Sequence, residues 1–125
     1  TMNFFAGRVQ QTRDGKSTID AGPLGVVEAI TPPTTVKCGG DVDLAIRPEK
    51  FQIHFEAPDV GVNMVEARTG ALAYLGDRSH FQVYLADRER PVAVAVQNVD
   101  AFGLQRATPD QRVWLTFSSE SVVVL

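Results

Sequence analysis

The chain has 125 residues, 44% hydrophobic and 22% charged, with ten Gly, seven Pro, one Cys and a formal net charge of −3. That balance reads as one soluble globular domain, large enough to hold a core without disulfides or a structural metal. The single Cys38 excludes an internal bridge, no apolar run approaches the roughly 20 residues of a spanning helix, and the opening Thr1-Met2-Asn3-Phe4-Phe5 lacks the pattern of a signal peptide.

Hydrophobic residues recur with a period close to two, punctuated by Gly, Pro, Asn and Asp, and so predict an all-β fold. In chain order the expected strands cover residues 4–9, 17–20, 25–30, 42–47, 51–55, 64–74, 79–85, 92–97, 112–117 and 122–125. Between the first two, Arg13-Asp14-Gly15-Lys16 offers a hairpin turn in which Gly15 takes positive φ. Pro32-Pro33 ends the third strand, and Cys38-Gly39-Gly40-Asp41 reopens the chain before the fourth. Residues 56–63 mix Pro, Gly and Asp, and are the candidate seam between two β subdomains within a single domain of residues 1–125. Only Thr108 to Gln111 reads as a turn of helix, with Thr108 as N-cap and Pro109 at the first position. No sequence repeat and no low-complexity tract stands out. Many short strands without a helical period favour a small barrel or sandwich.

The residues that commonly carry chemistry do not cluster. Gly39-Gly40 stands outside any phosphate-loop pattern. His54, His80 and Cys38 are isolated, whereas a structural zinc site pairs its ligands a few residues apart. Ser79 and His80 point to opposite faces of one strand and cannot form a nucleophile–base pair with Asp77. Asp41 and Asp43 share a strand face at a turn exit, where solvent-facing acids are ordinary. The net negative charge and the alternating signs of Asp87-Arg88-Glu89-Arg90 weigh against a nucleic-acid surface. No catalytic residue, metal ligand or cofactor contact is assigned.

Three features carry more information. Arg47-Pro48-Glu49 closes a strand, with Pro48 holding Arg47 extended and starting a tight turn. Tyr74-Leu75-Gly76-Asp77 interrupts two strong strands, with Gly76 free to take positive φ and Asp77 placed to cap the turn. The late strands are apolar on both faces, and Trp114 and the ending Val122-Val123-Val124-Leu125 are the candidate apolar contacts.

Taken together, the segments Leu44 to Ile53, Ala71 to Asp77 and Val113 to Leu125 resemble the transport-associated OB (TOBE) domain. This is the C-terminal regulatory domain of ATP-binding subunits in bacterial ABC importers, with the polyamine (spermidine/putrescine) branch and its iron(III) relatives fitting best. Met2-Asn3-Phe4-Phe5-Ala6-Gly7-Arg8-Val9 is similar to the segment at which that family's ATPase domain meets the regulatory domain. The resemblance implies an OB-like small barrel or pair of barrels and a cytoplasmic position, peripheral at the inner face of the cell membrane. It also implies two copies per transporter, with the chain's own ATPase domain, the second copy and the permease subunits as partners, and in some members a small-molecule ligand. ATP and Mg would belong to the parent ATPase domain. This chain has no Walker A lysine, Walker B carboxylate or Leu-Ser-Gly-Gly-Gln signature and is not expected to hydrolyse ATP. On this reading Arg47 and Glu49 form a geometry-fixing corner, with Tyr74, Gly76 and Asp77 in the turn beside it.

Overall fold

The computed structural model describes residues 2–30, 38–59, 63–75, 78–86, 88, 90–97 and 110–125. Among these residues ten strands run antiparallel: β1 (Asn3–Arg13), β2 (Lys16–Asp20), β3 (Val26–Ile30), β4 (Asp41–Ile46), β5 (Gln52–His54), β6 (Met64–Leu75), β7 (Arg78–Leu85), β8 (Val92–Gln97), β9 (Arg112–Thr116) and β10 (Val123–Val124). They form two five-stranded sheets, ordered β10-β4-β1-β2-β3 and β5-β9-β6-β7-β8. The all-β expectation holds, and each expected strand is present.

Alternation is what places the strands. Phe5 and Val9, Val27 and Ala29, Leu44 and Ile46, Val113 and Leu115 are all buried, while their neighbours, Ala45 excepted, are half-buried or exposed. These inward residues of both sheets form one continuous hydrophobic cluster. The first strand runs on to Arg13 rather than stopping at Val9. Residues 10–13 are exposed on both faces, so no alternation marks them, and a register shift after Val9 carries the strand to its hairpin. At that hairpin Asp14 and Gly15 have φ of 53° and 75°, the two positive values a two-residue type I′ turn requires. The expected helical turn ends differently: Thr108 and Pro109 lie outside the described residues, and Asp110 has φ 59°, in the left-handed region.

The two sheets repeat one plan, which the sequence does not show as a repeat. β1 pairs with β4 through Phe4–Ala45, Phe5–Leu44, Ala6–Asp43, Gly7–Val42 and Arg8–Asp41. Adding 60 to the β1 numbers and 71 to the β4 numbers gives the β6–β9 pairs Met64–Thr116, Val65–Leu115, Glu66–Trp114, Ala67–Val113 and Arg68–Arg112. The loop contacts obey the same offsets. Val9 and Gly39–Gly40 exchange backbone hydrogen bonds of 3.0 and 2.7 Å, as Thr69 and Asp110–Gln111 do at 2.9 and 2.8 Å.

Each half also lends its last strand to the other. After β4, a 3-10 turn at Pro48–Lys50 carries the chain into β5, which pairs with β9; after β9, a 3-10 turn at Ser119–Ser121 leads into β10, which pairs with β4. Residues 56–63, read above as a seam, join β5 to β6 within the second sheet, whereas the passage between sheets comes at Pro48–Lys50.

Two buried asparagines complete the exchange. Asn3, just inside β1, donates from Nδ2 to the Ala93 carbonyl (2.8 Å) and accepts from the Ala93 N–H at Oδ1 (2.8 Å). Asn63, just before β6, does the same with Glu28, donating to its carbonyl at 2.9 Å and accepting from its N–H at 2.7 Å. Each carboxamide thereby imitates a strand neighbour on the edge strand of the opposite sheet, satisfying a donor and an acceptor that would otherwise stay unpaired.

Candidate interaction surface

The Arg47-Pro48-Glu49 corner is the crossover itself. Arg47 is extended (φ −71°, ψ 145°), as a residue before proline must be, and Pro48 is buried at the start of the 3-10 turn. The Lys50 N–H closes that turn on the Arg47 carbonyl at 3.0 Å. Arg47 and Glu49 are exposed and make no ion pair with each other or with another described residue. Phe51 then turns inward and meets Phe117 edge to face, with centroids 5.3 Å apart and planes at 71°. A shallow groove of about 390 Å³ lies here, lined by Glu49, Lys50, Gln52, Thr116, Phe117, Ser118 and Ser121. Both crossover turns therefore border one groove.

Trp114 lies one strand away. Alternation on β9 sends Val113 and Leu115 into the core and leaves Trp114 half-buried on the outer face, opposite His54 of β5 and Glu66 of β6. The Arg112 guanidinium sits 4.8 Å from the Trp114 ring and holds both Glu66 oxygens, at 2.6 and 3.1 Å. His54 Nε2 and Thr116 Oγ1 are 2.8 Å apart, which accounts for that histidine as a surface hydrogen-bonding group. Tyr84 is paired in register with Arg68, and its ring covers Gly70, where an added Cβ would collide with it.

The structure joins only part of the expected set. The corner, β5 and Trp114 form one continuous stretch, because β5 leaves the crossover turn and pairs with β9. Tyr74 occupies the far part of β6, beyond the register shift between Thr69 and Leu72, while β9 pairs with Met64–Arg68. Gly76 and Asp77 lie outside the described residues. Of the C-terminal apolar run, Val122 is buried and Val124 half-buried, while Val123 and Leu125 are 44% and 65% exposed.

Sequence reasoning missed the two asparagines and Arg88. The Arg88 guanidinium stacks 4.2 Å from the Phe5 ring, and its Nη2 donates to the Phe4 carbonyl at 3.1 Å. Nη1 is buried without a hydrogen-bond partner among the described residues, and burial, with Arg90 as the lesser cause, lowers the pKa from the ordinary guanidinium value. A desolvated cation with an unmet donor contributes little net stability. Replacing it by an apolar side chain of similar length, Arg88→Met, is expected to leave stability unchanged or raise it by up to about 1 kcal/mol. A thermal melt of the two proteins side by side checks this.

Among the described residues, no group of three or more His, Cys, Asp or Glu converges to hold a metal ion, and no helix is long and apolar enough to cross a membrane. The outer face of the second sheet carries the half-buried Trp114 beside the exposed Met64, Arg68, Tyr84 and Arg112 side chains.

Comparison with known proteins agrees on the fold. The chain superposes on the cytoplasmic molybdate-binding protein ModG, solved with molybdate bound, with a TM-score of 0.81 over 98% of this chain and 94% of that one, at 10% sequence identity. It is 30% identical over 125 residues to the spermidine/putrescine import ATP-binding protein PotA of Thermobifida fusca, covering all of this chain and 32% of the relative. It is 33% identical over 88 residues to the PotA protein of Pseudomonas fluorescens, 70% of this chain and 23% of that relative. The chain thus spans about a third or less of the length of these relatives. The TOBE domain profile matches residues 44–125, from β4 through both crossover turns to the last strand. On that match, which covers well over half of its residues, the chain belongs to the TOBE domain family.

Proposed function

We propose that this chain is a non-catalytic regulatory domain of the ATP-binding subunit of an ABC importer whose solute is a polyamine such as spermidine or putrescine. The observation that carries the reading is the match to the Thermobifida fusca importer subunit along the whole of this chain. In this reading the domain binds no nucleotide. ATP and Mg²⁺ belong to the rest of a longer protein, which docks on permease subunits at the inner face of the membrane. The domain supplies rigid sheet surfaces whose contacts with its own ATPase domain and with the second copy tune hydrolysis. In this reading the corner at Arg47 and Glu49, the face bearing Trp114, and Tyr74, Gly76 and Asp77 are the candidate contact residues.

The test compares ATP hydrolysis by the isolated chain and by a full-length protein that carries it. The isolated chain is expected to show none above buffer, and the full-length protein measurable turnover. Hydrolysis by the isolated chain would refute the reading.

A second reading, that the domain senses a small solute or an oxyanion, is favoured by the close superposition on a molybdate-binding protein. A thermal-shift comparison with molybdate, sulfate, spermidine, putrescine and an iron(III) chelate separates the two. Ligand at a hundred times its Kd adds about 2.7 kcal/mol, so a sensor would melt several degrees higher with one of these. The regulatory-contact reading expects no shift with any.

A further inference from the structure

We draw no further inference here: the strongest candidate, the exposed apolar patch of Phe4, Val123 and Leu125 on the outer face of the first sheet, carries nothing because nothing in the structure shows what covers it.

Discussion

Cutting the chain between residues 56 and 63 is expected to yield two pieces, neither of which folds as a monomer, that assemble 1:1 when mixed. Each piece keeps four strands of its own sheet but loses the fifth, because β5 belongs to the second sheet and β10 to the first. The N-terminal piece lacks Val122, which is 4% exposed in the intact chain, and Val124, which packs on the core beside Leu44. It also loses the Asn63 carboxamide that pairs with the edge strand β3. The C-terminal piece loses Phe51, the β5 ladder and Asn3 in the same way. A sheet left with bare edges and a half-covered core lacks the net few kcal/mol that folding requires. Circular dichroism of each piece and of the mixture reads the result. A cooperative melt from either piece as a monomer would contradict the exchanged-strand account.

Asn63→Ala is expected to be among the most damaging single substitutions. The side chain is 5% exposed and makes two good hydrogen bonds to the backbone of Glu28, so truncation strands an N–H and a carbonyl at a sheet edge. Each such bond contributes about 1 kcal/mol net, and a buried partner left unmet costs about 1–3. The total is about 2–4 kcal/mol, a fall in melting temperature on the order of 10 °C for a domain of this size. Asn63 also holds φ 59°, a conformation that costs Ala more than Asn. Asn3→Ala, with the equivalent bonds to Ala93, should behave similarly, and the two losses should add because the sites belong to opposite sheet edges. Asn63→Asp discriminates the mechanism: it keeps the acceptor but sets a carboxylate against the Glu28 carbonyl, and should be no better than Ala.

The strands were legible because each buries one face, which imposes a period of two that survives in residues such as Phe5, Leu44, Val83 and Val113. Their ends were less so. Gln10 to Arg13 continue β1 with both faces in solvent and leave no hydrophobic trace. The duplication was invisible because it resides in register rather than in residue identity. The corresponding pairs Asn3 and Asn63, Leu44 and Leu115, and Arg8 and Arg68 are scattered among unlike ones, and offsets of 60 and 71 defeat a search for a single period. The strand exchange is a long-range fact: nothing local in Gln52–His54 says that it pairs with β9 rather than β4.

The surface followed a similar pattern. Trp114 was legible as an outward aromatic on a strand with a buried opposite face, and Arg47-Pro48-Glu49 as a corner, since proline fixes the backbone on both its sides. That the corner is the crossover between sheets was not legible, because it depends on pairings formed tens of residues away.

The most direct test of the proposed function uses lipid vesicles holding a polyamine importer whose ATP-binding subunit carries this chain, and compares that subunit whole with one lacking residues 1–125. Spermidine uptake and ATP hydrolysis are recorded together. The truncated subunit is expected still to hydrolyse ATP, with a several-fold change in the ratio of solute moved to ATP consumed or in its response to solute. Unchanged hydrolysis, uptake and coupling in the truncated subunit would contradict a regulatory role for this domain.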